Sequence, residues 1–337
     1  MVRSDPDQLS AKLEDNRAWI SGVFRHCHDF TVLDWQYGPD MQHAAMTVYL
    51  STMFPYRPDN YLRLSMQDIV NDFLGTGASV LPEQLRDFFE RHGASTRPAK
   101  LLSDRRETTD EILNGRIVIL LDGWDRAISY TMNEWLDRQV SDPQTEPVVQ
   151  GPREGTVEKL DHNISMIRKR IKSADLKLES MRDGGQTNTM IAYMYLEGTV
   201  NPDTLTEFRR RLERCFPSDV MDTSYIEEMI EDSPWSPFPQ FRYTERTDVA
   251  AAALLNGKII LLAEGTGSIL IAPTLFFDLL QTSEDYYQRV LISNAIRWLR
   301  MIAFVIALAL PSVYIAISTF NPELLPTVLL LAVIDAR

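Results

Sequence analysis

Only two cysteines occur in 337 residues, Cys27 and Cys215, and they are far apart. That scarcity excludes a disulfide framework and agrees with a reducing compartment. Positive charge is also in deficit, with a formal net charge of −13. Such a balance repels nucleic acid, because phosphate binding needs a basic footprint. The clusters Arg168, Lys169, Arg170 and Arg209, Arg210, Arg211 lie among many carboxylates and read as solvated helix faces or a docking surface for an acidic partner.

Catalytic chemistry is equally sparse. There are five histidines and no serine in a nucleophile elbow, so nucleophilic hydrolysis has no support. No Gly-Lys-Ser/Thr phosphate loop is present, and Gly265-Thr266-Gly267 lacks the third glycine and downstream acid of a dinucleotide fingerprint. His26, Cys27 and His28 are metal-ligand types, but neighbours point in different directions on any regular element and no second cluster completes a set. Asp122-Gly123-Trp124-Asp125 lacks the spaced oxygens of a calcium loop. The expectation is a protein that is not an enzyme, with no cofactor and no metal site.

One long uncharged run stands out, from Met301 to Phe320, MIAFVIALALPSVYIAISTF. About twenty apolar residues suffice for a helix to cross a bilayer, and a position this far along the chain is not that of a signal peptide. A buried core helix is the alternative. Arg289, Arg297 and Arg300 precede the run, Trp298 sits beside it, and Asn321, Pro322 and Glu323 follow. Positive charge marks the cytoplasmic side, so the bulk of the chain is expected there. A further apolar stretch, Thr327 to Ile334, is too short to span.

The residues ahead of the run suffice for two domains of roughly 100 to 200 residues each. With 45% hydrophobic and 24% charged residues in the whole chain, there is enough apolar sequence to bury a core. An internal repeat is visible. ILNGRIVILLDG, Ile112 to Gly123, and LLNGKIILLAEG, Leu254 to Gly265, carry Asn-Gly pairs 142 residues apart. Each reads as a helix end followed by a buried strand, which predicts two α/β lobes of related plan.

In the second lobe, Leu160, Ile164, Ile167 and Ile171 have helical spacing. Leu176 to Met181 and Asn188 to Leu196 read as strands around the Asp183-Gly184-Gly185 turn. Asn201 and Pro202 open a helix with the stripe Leu205, Phe208, Leu212 and Cys215. A short helix is expected to start at Ser224, with Glu227 closing a capping box and Ile226, Met229 and Ile230 inward. Ser233 to Gln240 carries three prolines and reads as a rigid extended connection into a helix from Asp248 to Asn256. In the first lobe, Ala45 to Ser51 reads as a strand, and Met66 to Leu74 and Glu83 to Arg91 as amphipathic helices. A helix at Asp110 leads into a strand at Arg116. The proline-rich stretch from Asp142 to Pro152 sets the boundary.

The predicted fold class is α/β, a two-lobed cytoplasmic α/β region followed by a transmembrane helix. Residues 1–145 form the first lobe, 146–290 the second, 299–320 the helix, and 321–337 begin a second, incomplete hydrophobic segment.

The stretch Pro147 to Arg170, PVVQGPREGTVEKLDHNISMIRKR, resembles the A subunits of GerA-type bacterial spore germinant receptors. The matching residues are Gly151, Pro152, Arg153, Glu154, Glu158, Asn163, Arg168 and Arg170. The likeness continues through Asp222 to Asp232, Ser236 to Gln240 with Pro237 and Pro239, Glu245 to Gly257, Glu284 to Arg289, and Arg297 to Arg300. It covers nearly all of the chain from Asp110 on, and residues 1 to 100 only loosely. Gly155-Thr156-Val157 and Glu264-Gly265-Thr266-Gly267 depart from the family pattern.

The resemblance implies a membrane subunit of a nutrient receptor in the spore inner membrane, working with a transporter-like B subunit and a lipoprotein C subunit to release ions. It implies a homo-oligomer in the lipid bilayer and a membrane domain continuing through further helices. Pro311 is the gating candidate, because proline removes one backbone hydrogen bond and can kink a helix. Arg153, Glu154, Arg168 and Arg170 read first as a structural ion-pair network and second as ligand contacts. A sporulation-stage paralog linked to dipicolinate release, or a two-lobed small-molecule sensor without a channel role, are the other readings.

Overall fold

A computed structural model describes residues 7–38, 40–54, 81–83, 86, 99–130, 146, 151–152, 154–214, 219–233, 235–236, 238–280, 282 and 289–320. The helices expected at Met66 to Leu74 and Glu83 to Arg91 fall wholly or almost wholly outside these residues. So do Arg153, Cys215, Pro237 and the stretch from Thr327 to Ile334.

The first lobe runs α1 (Leu13–Val23), β1 (Phe30–Tyr37), β2 (His43–Leu50), β3 (Ala99–Leu102), α2 (Arg105–Leu113), β4 (Ile117–Leu121) and β5 (Ala127–Tyr130). The second runs α3 (Leu160–Arg170), β6 (Leu176–Arg182), β7 (Met190–Leu196), α4 (Pro202–Arg214), α5 (Thr223–Ile230), β8 (Arg242–Thr244), α6 (Thr247–Leu255), β9 (Ile259–Ala263) and β10 (Ile269–Ala272). The two five-stranded sheets have the same plan, β1-β2-β4-β5-β3 and β6-β7-β9-β10-β8. Every pairing in them is antiparallel. Both sheets belong to one compact unit, residues 1–147 with 152–273.

The Asn-Gly repeat marks the same junction in each lobe. Helices α2 and α6 are followed by Asn114 and Asn256, and the next residues, Gly115 at φ 73° and Gly257 at φ 79°, take the left-handed conformation that glycine adopts freely. The strands that follow, β4 and β9, are buried at every position. Alternate residues enter opposite layers, as the strand period requires. Val118 and Leu120 join Ile20, Phe24 and Ile112 on one face, and Ile119 and Leu121 join Tyr37, Trp124 and Ile128 on the other. Likewise Ile260 and Leu262 pack with Ile164, Ile167 and Val249, and Ile259 and Leu261 with Tyr193, Phe208 and Ile226.

One helix start differs from expectation. The cap of α5 is Asp222, which accepts from the Ser224 N–H, so no Ser224–Glu227 capping box forms. Glu227 instead accepts from the Tyr243 hydroxyl, and Met229 is 40% exposed rather than inward. Asp222 wins because its carboxylate reaches an orphan N–H of the first turn two residues ahead.

The second unit comprises residues 148–151 and 274–337. It holds a short α7 (Phe276–Leu279) and a long α8 (Val290–Phe320) of 31 residues, which continues through Pro311. Its apolar window has a mean hydropathy of 2.3 with none of it buried, so α8 is long and apolar enough to cross a membrane and is not a core helix.

Candidate functional site

Helix α3 carries three of the predicted residues, Asn163, Arg168 and Arg170, and each does a different job. Its buried stripe, Leu160, Ile164 and Ile167, faces the lobe core, and its three basic residues lie in the last turn, where the helix dipole favours them. Asn163 is buried and holds the incoming chain reciprocally: its Oδ1 accepts from the Val157 N–H at 2.8 Å and its Nδ2 donates to the Val157 carbonyl at 2.6 Å. The Leu160 N–H donates to Glu264 Oε2 at 2.9 Å. The first lobe repeats this arrangement. Asn16 pairs both ways with the Ser10 backbone at 2.9 and 2.7 Å, and the Leu13 N–H donates to Asp122 Oδ1 at 3.2 Å.

Arg168 joins the lobes. It is 1% exposed, and its Nε and Nη2 donate to both Asp29 oxygens at 2.8 and 2.7 Å, while Nη1 donates to the Leu176 carbonyl at 2.9 Å. Burial works against the guanidinium charge, and the Asp29 carboxylate more than offsets it, so the group is held above its ordinary value. Asp29 also accepts from the Thr52 hydroxyl at 3.0 Å.

Around this pair the first lobe extends the second lobe's sheet. The segment from His26 to His28 lies along the edge strand β6 as a parallel bridge between Cys27 and Leu178, with His28 N–H to Leu178 O at 2.8 Å and Leu178 N–H to His26 O at 3.0 Å. His26 takes a positive φ of 61° to do so, and His28 Nδ1 accepts from the Ser180 N–H at 2.9 Å. The Cys27 thiol is buried against this junction, and burial pushes its pKa up, which makes it an inert packing group.

The structure also joins Arg170 to Glu154. Arg170 Nη2 donates to Glu154 Oε2 at 2.9 Å and its Nε to Thr247 Oγ1 at 2.9 Å, which ties the stretch after Pro152 to the start of α6. Beside it, Gly155 bridges Arg246 and the Thr156 N–H donates to the Glu245 carbonyl at 2.8 Å. Pro239 is exposed in the segment between α5 and β8, where Asp232 and the Gln240 side chain exchange two hydrogen bonds of 3.1 Å. Arg168 and Arg170 therefore do not share one site.

A second polar cluster escaped the sequence reading. Glu179 on β6 faces Tyr193 across the ladder and accepts from the hydroxyls of Tyr193 and Tyr195 and from Arg209 of α4, with Tyr195 at 2.8 Å. Arg209 lies over the Tyr195 ring at 5.4 Å, and His26 Nδ1 is 4.0 Å from Glu179. The period-two spacing of Tyr193 and Tyr195 places them on one face, but nothing local points to Glu179. Burial alone would raise the Glu179 pKa; the two tyrosines and Arg209 outweigh it and hold the carboxyl below the usual range.

The cluster has a testable pH signature. A depressed carboxylate stabilises the fold fully above the ordinary glutamate pKa of about 4.3, and that contribution is lost as pH falls through the depressed value. Urea midpoints of wild type and Glu179→Gln should differ by a constant amount above about pH 5 and converge below about pH 4. A difference that ignores pH would refute the charged role of Glu179.

Comparison with known proteins identifies the setting. Residues 18–337 match the Bacillus/Clostridium GerA spore germination protein family. This chain belongs to that family. It is 40% identical over 227 residues to spore germination protein KA of Bacillus subtilis, covering 67% of this chain and 42% of that one. It is 38% identical over 226 residues to the B. subtilis membrane protein YfkQ, covering 67% and 44%. The chain thus spans less than half the length of these two relatives. Its fold matches the crystal structure of the N-terminal domain of the A subunit of the Bacillus megaterium spore germinant receptor GerK3, with TM-score 0.57 and 25% identity over 80% of this chain and 97% of that one. The family is one of spore germination proteins rather than of enzymes.

Proposed function

We propose that this chain is the cytoplasmic region and first membrane helix of a germinant-receptor A subunit in the spore inner membrane. The observation that carries this reading is the succession of a two-lobed unit like the GerK3 A-subunit domain and an unburied apolar helix of 31 residues. The lobes divide near residue 145. The subunit acts as a homo-oligomer with a transporter-like B subunit and a lipoprotein C subunit, and nutrient binding to the assembly ends in ion release. Arg289, Arg297 and Arg300 ahead of the span support the cytoplasmic placement of the lobes.

The junction refines how a signal travels. A buried bidentate ion pair and a backbone bridge link the lobes, so the two move as one body and pass displacement to the membrane helix. Arg168, Arg170, Glu154 and Asn163 serve that rigidity, and ligand contact is not their role. Spores lacking the chain should lose ion release to the nutrient this receptor serves while completing sporulation; failure to accumulate dipicolinate would instead assign the chain to the sporulation-stage role.

Pro311 supplies a second test. Its missing N–H leaves one helical carbonyl unbonded within α8. Spores carrying Pro311→Ala should release ions at least roughly fivefold more slowly on nutrient addition, the low end of typical coupling effects. Unchanged release would remove Pro311 from gating.

A further inference from the structure

The segment from Ser233 to Gln240 contributes nothing to the lobe junction, yet it is braced at its base and within. Prolines at 234, 237 and 239 leave it few backbone donors, so side chains do much of the bracing. At the base, Asp232 and Gln240 exchange their two hydrogen bonds, while Arg211 of α4 reaches Asp232 at 2.5 Å and the Ile230 carbonyl at 2.9 Å. Within the segment, the Ser236 N–H donates to the Ser233 carbonyl at 3.1 Å and closes a turn. The Ser236 hydroxyl accepts from the Phe238 N–H at 3.3 Å and donates to the Phe238 carbonyl at 3.2 Å. Trp235 stands on this turn and is 93% exposed. A lone exposed apolar residue needs no explanation. An indole held out on an ordered turn does, because the ordering costs entropy that burial of the ring does not offset. Preorganised, projecting tryptophan is the pattern of an interface anchor.

The surroundings set the charge of whatever meets it. The segment follows directly on α5, whose outer face carries Tyr225 and Met229 one turn apart, both exposed, with Glu228 exposed beside them. From Asp222 to Gln240 the chain has five acidic residues and no basic one. Among the described residues the carboxylates of Glu228 and Glu231 make no hydrogen bond or ion pair. An anionic membrane surface would repel this face. So would a second copy of the chain: its net charge is −13, and Arg168, Arg170, Arg209, Arg210 and Arg211 are already paired with carboxylates.

We propose that Trp235 anchors a docking surface for a different protein, one that offers an apolar pocket for the indole rimmed by lysine or arginine. The indole supplies most of the binding energy, as buried aromatic anchors do. The carboxylates of α5 steer the basic rim into register. The bracing from Asp232, Gln240 and Ser236 keeps the anchor in its docked conformation before the partner arrives, which lowers the entropy lost on binding.

The test places the photoreactive residue benzoylphenylalanine at position 235 of the full chain and irradiates the cells that produce it. One adduct should form, to a different protein, and its cross-linked peptide should contain lysine or arginine. The same photoprobe at Leu255, 59% exposed elsewhere in the lobe, should not give it. Adding Glu228→Lys should lower the yield roughly fivefold, the upper size of one exposed ion pair. In the chain without the photoprobe, Trp235→Ala should reduce co-purification of that protein at least roughly thirtyfold, the scale of an interface hot spot, with the urea midpoint unchanged because the ring packs on nothing. An adduct to a second copy or to lipid, a cross-linked peptide without basic residues, no adduct at all, or undiminished co-purification with Trp235→Ala would each overturn the proposal. Should Glu228→Lys fail to accumulate, raising salt to about 1 M, where the screening length is about 3 Å, should lower the co-purified yield of the wild type; an undiminished yield there overturns the basic rim.

Discussion

Replacing Arg168 by methionine lowers the stability of the two-lobed unit by about 3 to 5 kcal/mol, measured as the shift in urea unfolding of the chain followed by tryptophan fluorescence. The loss is this large because the change strands Asp29. Its carboxylate is 1% exposed and, among the described residues, keeps only the Thr52 hydroxyl as a side-chain donor, so a buried negative charge is left without its cation. Asp29→Leu alone strands the guanidinium and has a similar effect. The double variant Asp29→Leu with Arg168→Met removes both charges and recovers most of the stability, since a buried pair is often no better than well-packed apolar residues of similar volume. Single variants costing less than about 1 kcal/mol would show the pair to be solvated, as exposed ion pairs are. If the pair also enforces one-body movement of the lobes, the double variant restores stability without restoring ion release in spores, which separates the mechanical role from the thermodynamic one.

Asn163→Ala is expected to cost about 2 kcal/mol, and Asn16→Ala a similar amount, in the same unfolding measurement. Each removes an amide that donates to and accepts from one backbone residue, and part-buried backbone groups left unpaired cost roughly 1 to 3 kcal/mol. Asn163→Asp discriminates further. The carboxylate still accepts from the Val157 N–H but faces the Val157 carbonyl with no proton to give. At neutral pH it should be at least as damaging as alanine, and acidification that protonates it should narrow the gap. Losses below about 0.5 kcal/mol at both positions, the size of ordinary surface substitutions, would show that the paired asparagines do not anchor the lobes.

These two features were unequally legible. Asn163 belongs to a run of motif residues, and its helix is announced by Leu160, Ile164 and Ile167. Its twin Asn16 shares no such neighbours, so the equivalence emerges only when the chain paths leading into the two sheets are compared. The Asn-Gly repeat was visible because a left-handed helix end and a fully buried strand are both local requirements. The short strands β3, β8 and β10 were not visible, since three or four residues carry no period that separates them from loops. The start of α5 was misplaced because Asp222 and Ser224 both qualify as caps, and the choice is made by which side chain the chain path leaves facing the first turn.

Composition and local order by themselves determined the absence of a phosphate-loop motif, the two related lobes and a helix long and apolar enough to cross a membrane. A membrane span depends only on length and polarity, because lipid demands the same of every residue that faces it. What holds the lobes together was decided by the tertiary structure alone. Asp29 and Arg168 are 139 residues apart, and within the second lobe Glu179 likewise meets Arg209 from another element. A charge in the sequence is equally compatible with a solvated surface and a sealed interface, and only the packing that removes water from both partners makes it one or the other.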